Sequence, residues 1–217
     1  MYISYLIFSY ILGSISFAWI IAKVFKNIDI RKYGSKNPGA TNVYRTISKP
    51  LGILTLTLDV LKGFIPVYLV PYFWNLNIDK GFIVVNSVIY YTIIVALLVI
   101  LGHVFSIFLN FKGGKGVAVG LGVFLAINPI ATLCSLVVFI VIVVLTRYVS
   151  LSSIVASIVL PIGIYFFNGY NIIHTNSYEF LIFSIIVVSL VIIRHISNIK
   201  RLLNGTENKI SGSKSSK

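Results

Sequence analysis

The sequence predicts an all-α integral membrane protein that crosses the bilayer seven times. Of its 217 residues, 58% are hydrophobic and 11% are charged, whereas a soluble domain is about 45–50% apolar and about 25% charged. The mean hydropathy is +0.98, and apolar stretches long enough to span a membrane recur along the whole chain. This composition excludes a soluble globular enzyme, a disordered chain and a coiled coil.

The first apolar stretch covers residues 2–22. It follows no positively charged segment, so we expect it to remain as the first membrane helix rather than to be cleaved as a signal peptide. A spanning helix needs about 20 mostly apolar residues, and the same criterion assigns the later spans. These are predicted at residues 51–74, 81–111, 116–127, 129–146, 148–167 and 178–193.

The number of spans is ambiguous over residues 116–146, because this long stretch contains no charged residue that would divide it. A continuous helix of this length would measure about 46 Å, against a hydrocarbon core of about 30 Å. Asn128 and Pro129, near its middle, are typical of a turn. The sequence therefore predicts two spans here, and the alternative is a re-entrant segment at residues 116–127.

The basic residues support this division. The chain has 18 Lys and Arg against 5 Asp and Glu, a formal charge of +13. With seven spans and the N-terminus outside, all basic residues except Lys62 and Lys80 fall on the cytoplasmic side, as positive charges generally do. Because most of them flank apolar spans, they indicate contact with anionic headgroups and no nucleic-acid partner.

The same topology leaves the C-terminus in the cytoplasm. We expect residues 1–210 to form a single membrane domain and residues 211–217, rich in Ser and Lys, to form a disordered basic tail. The single cysteine, Cys134, lies in an apolar run and predicts neither a disulfide nor a cysteine metal site. His174 and Glu179 fall on the outer side, away from the other polar groups.

The first cytoplasmic loop contains the sequence GSKNPGATNVYR over residues 34–45. Gly, Pro and Asn favour tight turns that can present backbone N–H groups. Arg45 supplies a planar fork for a phosphate or a carboxylate. Hydrogen-bonding side chains are added by Ser35, Asn37, Thr41 and Asn42. By residue type alone, a binding site and a solvated positive loop are about equally plausible.

The second segment, FKGGKG over residues 111–116, combines glycines and lysines just before a helix. Backbone N–H groups and a helix N-terminus favour an anion. We therefore expect phosphate to be bound by Lys112, Gly113, Gly114, Lys115 and Gly116. A flexible basic turn is the alternative, and a Walker A loop is excluded because Gly116 replaces its Ser or Thr.

Further polar residues lie near the ends of the predicted spans. Ser150 stands at a helix start, where a hydroxyl is either an N-cap or a ligand. His195 and Asn198 are three residues apart and therefore share a helix face. From that position, His195 could bind an anion, transfer a proton or cap a helix. Glu207 lies among basic residues and is predicted to be an ion-pair partner.

Asp59 and Lys62 lie three residues apart inside an apolar span. Charges within the bilayer are costly, so they pair with each other or line a polar cavity. We predict that these two form a structural pair, with substrate contact as the alternative.

Together these segments predict binding of one or more phosphorylated anions at the cytoplasmic membrane surface. The sequence offers no Cys nucleophile, Ser-His-Asp set or metal cluster, so transfer from an already activated donor fits it best. The residues alone do not separate an acyl or phosphoryl transferase from a transporter or flippase of phosphorylated metabolites.

At these segments the chain resembles a known family, the bacterial acyl-phosphate:glycerol-3-phosphate acyltransferases, or PlsY family. The resemblance extends from about residue 13 to residue 210, with the family's order and spacing. It is carried by residues 34–45, DVLKG at 59–63, GH at 102–103, FKGGKGVA at 111–118, RHxxN at 194–198 and GTE at 205–207. One departure is GSIS at residues 13–16, where the family usually has a proline.

The resemblance implies a seven-helix fold and transfer of a fatty acyl group from acyl phosphate to the sn-1 hydroxyl of glycerol 3-phosphate. The products would be lysophosphatidic acid and phosphate, in the first acylation step of phospholipid biosynthesis. No cofactor, metal, acyl-CoA or acyl carrier protein is implied. The expected partners are membrane lipids and the peripheral enzyme that makes acyl phosphate, at the cytoplasmic face of the bacterial cell membrane.

The resemblance also implies roles for individual residues. Ser35, Arg45, His195 and Asn198 would be catalytic. The segment 112–116 would bind phosphate, and the other expected substrate ligands are Asn37, Thr41, Asn42 and Ser150. The residues expected to be structural are Asp59, Lys62 and Glu207.

Overall fold

The computed structural model describes residues 2–73, 81–172 and 178–210. Over these residues the chain is helical and contains no β-strand, which confirms the predicted all-α class. The α-helices of the described ranges are α1 (Tyr2–Ser14), α2 (Phe17–Lys26), α3 (Ala40–Thr46), α4 (Lys49–Tyr68), α5 (Val70–Phe73), α6 (Gly81–Val104), α7 (Val117–Ile127), α8 (Pro129–Thr146), α9 (Val149–Phe166), α10 (Glu179–Arg194) and α11 (Ile196–Leu203).

Several of these helices are long and apolar enough to cross a membrane. Within the described ranges four spans meet this criterion, and six do so if the bent pairs α1–α2 (44°) and α10–α11 (57°) each count as one. The 11-residue helix α7 is apolar but shorter than a span. Seven spans and an outside N-terminus therefore stay predictions, and His174, Lys80 and the tail at 211–217 lie outside the described residues.

Two breaks have clear local causes. The predicted turn at Asn128 is confirmed, because the Asn128 side chain accepts the Ala131 N–H at 3.1 Å and caps α8. The predicted single span over residues 2–22 is instead broken between α1 and α2. There the Ser16 side chain accepts the Trp19 N–H at 3.4 Å and so begins a new helix.

The helices associate in two groups. In one group α4 packs on α7, α6 packs on α1, and α4 also contacts α6. In the other group α9 packs on both α8 and α10. Small residues allow the closest approach, because a Cβ at Gly63 would meet the Val119 carbonyl oxygen and a Cβ at Gly122 would meet that of Val60. Glycine at both positions therefore holds α4 and α7 together.

A buried ion pair joins α4 to the break between α1 and α2. Lys62 Nζ lies 2.9 Å from Asp59 Oδ1, and both side chains are almost fully buried. Lys62 Nζ also donates to the Ile15 carbonyl oxygen at 2.5 Å and lies 5.4 Å from the centre of the Phe17 ring. Lys62 thus donates to a backbone carbonyl oxygen that has lost its helical partner at the break. This contact supports the structural role predicted for the pair.

Removing one member of this pair should be more damaging than removing both. Asp59→Ala leaves Lys62 buried without its counter-ion, and we expect a loss of about 3–5 kcal/mol in the free energy of unfolding. Asp59→Ala combined with Lys62→Met should recover part of that loss, because no uncompensated charge is left. The melting temperatures of the purified proteins in detergent test this, and equal values for the single and double variants would contradict it.

Candidate active site

A cavity of about 400 Å³ lies at the end of the bundle where α7 and α9 begin and α10 ends. Three of its four charged side chains, together with several polar ones, lie at this end, which we call the polar mouth. The polar mouth consists of Ser35, Asn37, Thr41, Arg45, Lys115, Ser150, His195, Asn198 and Glu207. Residues far apart in the sequence, from the first loop to the last helix, are thus brought together as predicted.

Asn42 holds the loop that carries the first of these residues. Its side-chain oxygen accepts the Ser35 N–H at 3.0 Å. Its side-chain nitrogen donates to the carbonyl oxygens of Ile30, Tyr33 and Asn37 at 3.0–3.2 Å. Because these bonds use both ends of the buried amide, Asn42 organises the loop, and the substrate contact expected of it stays a prediction.

Arg45, on α3, brings a charged group into the polar mouth. Its Nη2 donates to the Asn208 carbonyl oxygen at 2.8 Å. Its Nε is buried and has no hydrogen-bond partner within the described ranges. Burial lowers the pKa of the guanidinium from its ordinary value. A buried donor without an acceptor is costly, so this N–H is available to an acceptor supplied by a ligand.

Lys115 provides the second cation. Its Nζ donates to the Asn198 side-chain oxygen. Burial is the main reason that the pKa of Lys115 falls to about 8, and the charge of Glu207 partly opposes the decrease. Lys115 is therefore mostly protonated near neutral pH, in a setting where its charge is poorly solvated.

Glu207 connects the elements around the polar mouth. Its carboxylate accepts hydrogen bonds from Ser150 Oγ at 3.0 Å and Asn198 Nδ2 at 2.8 Å. Arg201 Nε donates to its second oxygen at 2.7 Å. The carboxylate therefore ties α9 and α11 to the C-terminal segment, which supports the predicted structural role. Ser150 is not the N-cap of α9, because Tyr148 occupies that position. The Ser150 hydroxyl instead donates to Glu207.

His195 lies in the bend between α10 and α11. Its Nδ1 is 2.8 Å from the Val191 carbonyl oxygen, and because a carbonyl only accepts, this nitrogen carries a proton. Burial, with a smaller contribution from Lys115, lowers the pKa of His195 to about 4. The ring is therefore neutral at pH 7, and Nε2 remains as a hydrogen-bond acceptor toward the cavity that His195 lines.

The glycine-rich segment differs from its prediction. Lys112 is exposed and does not line the cavity, and neither do the two glycines after it. The N–H groups of Gly113 and Gly114 donate to the carbonyl oxygens of Val104 and His103 at 3.1 and 3.0 Å. They are thus used in closing the turn onto α6 and are not free to bind phosphate.

The start of α7 is the part of this segment that reaches the cavity. Gly116 has a φ of 85° and ends the turn, so α7 begins at Val117. Backbone N–H groups at a helix start lack partners within the helix and attract anions. Lys115, Gly116 and Val117 all line the cavity. Within residues 112–116 only Lys115 and Gly116 line the cavity, so the prediction that this segment binds an anion now rests on them and on the helix start.

Two residues outside the predicted site hold this turn in place. Arg194 Nη2 lies 3.3 Å from the carbonyl oxygens of Gly113 and Gly114 and donates to both. The His103 ring packs so closely on Gly114 that a side chain there would meet its Nε2. The sequence places Arg194 in the RHxxN motif at residues 194–198, but its contacts with this turn depend on the folded arrangement and could not be predicted.

Beyond the polar mouth the lining is mainly apolar, and the hydroxyls of Thr132 and Ser135 there donate to backbone carbonyl oxygens. Its deeper wall is formed by Leu121, Phe124, Leu136, Phe139, Leu160, Val187 and Val188. On the α4 side it is bordered by Ile53 and Leu56, which are exposed. The cavity therefore combines a cationic mouth with an apolar interior that opens toward the outside of the bundle, and this combination suits an amphiphile with an anionic head.

Comparison with known proteins agrees with this geometry. Residues 3–205 match the family described as glycerol-3-phosphate acyltransferase. The glycerol-3-phosphate acyltransferase of Fusobacterium nucleatum is 46% identical over 205 residues, which cover 94% of this chain and 96% of that protein. The protein of the same name from Endomicrobium trichonymphae is 48% identical, covering 96% and 95%.

A crystal structure of PlsY, an integral membrane glycerol 3-phosphate acyltransferase in its glycerol 3-phosphate form, is 39% identical. It superimposes with a TM-score of 0.82 over 96% of this chain and 94% of that one. This chain belongs to the PlsY family. It is accordingly a membrane acyltransferase of phospholipid biosynthesis, and this result favours the acyltransferase over the transporter that the residues alone left open.

The pKa of Lys115 predicts how this PlsY family member binds anions as pH changes. We expect its affinity for inorganic phosphate to fall as pH rises above about 8, because Lys115 then loses its proton. Lys115→Arg should remove this dependence, since a guanidinium stays protonated. Calorimetric titration in detergent between about pH 7 and pH 10 measures both, and an equal decline in the variant would contradict the assignment.

Proposed function

We propose that the chain transfers a fatty acyl group from acyl phosphate to the sn-1 hydroxyl of glycerol 3-phosphate, giving lysophosphatidic acid and inorganic phosphate. The observation that carries this proposal is a cavity in which a cationic mouth continues into a mainly apolar interior. The two solved relatives are described in a glycerol 3-phosphate form and a lysophosphatidic acid form, which supports the acceptor and the product.

Acyl phosphate is a mixed anhydride, so its phosphate is a good leaving group without a metal. The acceptor oxygen attacks the acyl carbon, a new ester bond forms, and the bond from the acyl carbon to the phosphate oxygen breaks. Arg45 and Lys115 offset the negative charge that grows on the tetrahedral oxygen and the departing phosphate. Holding the hydroxyl next to the carbonyl supplies the remaining acceleration.

The hydroxyl proton passes to a phosphate oxygen of the substrate, while Ser35 and His195 orient the reactants. The contacts of the acidic residues support this route. Glu207 already accepts three hydrogen bonds, and Asp59 is paired with Lys62. Among the described residues that line the cavity, both carboxylates are therefore held in ion pairs, with Lys62 and Arg201, which disfavours their use as the base.

The site faces the cytoplasm of a bacterial cell, in the cell membrane. The distribution of basic residues supports this side, because the polar mouth is formed by the segments that carry most of the positive charge. Acyl phosphate then reaches the mouth from the cytoplasmic surface, where a peripheral enzyme forms it. Asn37 and Thr41 line the same mouth, and we propose that they donate hydrogen bonds to the glycerol 3-phosphate.

The direct test supplies purified protein with palmitoyl phosphate and glycerol 3-phosphate and follows release of phosphate and lysophosphatidic acid. Arg45→Ala and Lys115→Ala should each lower kcat/KM by about 100-fold or more, because each removes a charge that stabilises the transition state. Lys26→Ala removes an exposed cation at the end of α2 and serves as the matched control. Absence of phosphate release by the unaltered protein would contradict the proposed function.

Substitution of His195 tests the route of the proton. A general base contributes about 10²–10⁴-fold to the rate, whereas an orienting residue contributes less. We therefore expect His195→Gln to lower kcat by less than about 100-fold, because the amide still forms hydrogen bonds. Loss of turnover with unchanged affinity for both substrates would identify His195 as the base instead.

A further inference from the structure

Helix α7 has two faces with different surroundings. One face packs on α4, where Gly122 lies against the Val60 carbonyl oxygen and Gly63 of α4 lies against that of Val119. The other face lines the cavity with residues at helical spacing, namely Val117, Gly120, Leu121 and Phe124. Gly120 is thus the position on the cavity face that has no side chain.

Neither packing nor backbone conformation requires glycine at position 120. A Cβ placed there would meet no heavy atom within 4 Å, although the residue itself is buried. It lies inside α7, and its φ is outside the left-handed region. Alanine stabilises a helix interior better than glycine does, so glycine here lowers helix stability and keeps space open in the cavity.

The position of Gly120 identifies what this space can hold. It lies three residues after Val117, about 4.5 Å along the helix axis from the start of α7. Phe124, in the apolar interior, lies about 6 Å further along the same face. A molecule with its phosphate at the polar mouth and its hydrocarbon chain in the interior must pass Gly120 with the atoms next to its carbonyl group.

We propose that Gly120 is a specificity-determining residue that keeps open the passage for the first methylene groups of the acyl donor. This inference rests on the proposed function, because it takes a long-chain acyl phosphate as the donor. A larger side chain at position 120 fills the passage and excludes long-chain donors, while the polar mouth continues to bind glycerol 3-phosphate.

A matched pair of glycine substitutions tests whether packing requires glycine at position 120. Gly120→Ala should leave the melting temperature unchanged or raise it, because the added methyl group meets only the cavity. Gly122→Ala, the same change two residues along, should lower it, because the methyl group would meet the Val60 carbonyl oxygen. Equal destabilisation by the two substitutions would show that Gly120 serves packing and would overturn the proposal.

Gly120→Leu tests the passage itself. We expect kcat/KM for palmitoyl phosphate to fall by about tenfold or more, as filling an occupied site typically does. The Kd for glycerol 3-phosphate, measured by calorimetry, should stay within about twofold, and the melting temperature should match that of Gly120→Ala. A purely structural effect would lower kcat/KM for palmitoyl phosphate and weaken the binding of glycerol 3-phosphate together.

Three results are decisive. A decrease confined to the acyl donor supports the proposal. Unchanged kcat/KM in Gly120→Leu, or equal losses for both substrates, overturns it while leaving the proposed function in place, provided that the unaltered protein is active. If the unaltered protein releases no phosphate from palmitoyl phosphate, the proposed function fails and this inference fails with it.

Discussion

The site depends on two cations that are held partly out of water at the end of an apolar bundle. Lys115 donates a hydrogen bond to the side-chain amide of Asn198, and Arg45 donates one to a backbone carbonyl oxygen. The carboxylate beside them, that of Glu207, accepts hydrogen bonds from three other side chains. The positive charge at the mouth is therefore only partly compensated by the protein. A bound dianion completes the electrostatic balance, so the desolvated charge provides the affinity.

Short and broken helices make this arrangement possible. The start of α7 lies within the bundle, so its unpaired N–H groups face a cavity rather than bulk water. The bend between α10 and α11 returns the chain across the same end and places His195 and Asn198 there. Glu207 then fixes this returning segment against α9 through Ser150. A bundle of uninterrupted spans would have placed these groups at the membrane surface, where water weakens electrostatic binding.

The sequence predicted what local chemistry determines. The all-α class follows from hydropathy, and the break at Asn128 follows from turn chemistry and length. Arg45, Lys115 and His195 could be assigned because motif resemblance marks residue types that a phosphate requires. The glycine segment was only partly predictable, because the partners of its N–H groups are carbonyls of α6, and no local pattern reveals which way those N–H groups point. The loop contacts of Asn42 could not be predicted for the same reason, since its partners are distributed around a folded loop.

The electrostatics of the mouth also constrain the chemistry. Positive charge and burial together keep His195 neutral, and they disfavour protonation of any side chain placed beside Lys115 and Arg45. The same positive charge also lowers the basicity of phosphate oxygens, but the ordinary second pKa of a phosphate is about 6, above the value of about 4 for His195. Phosphate is therefore the more basic of the two groups, which supports the proposed transfer of the hydroxyl proton to a substrate phosphate. The carboxylate of the polar mouth, Glu207, is paired with Arg201, which agrees with that proposal.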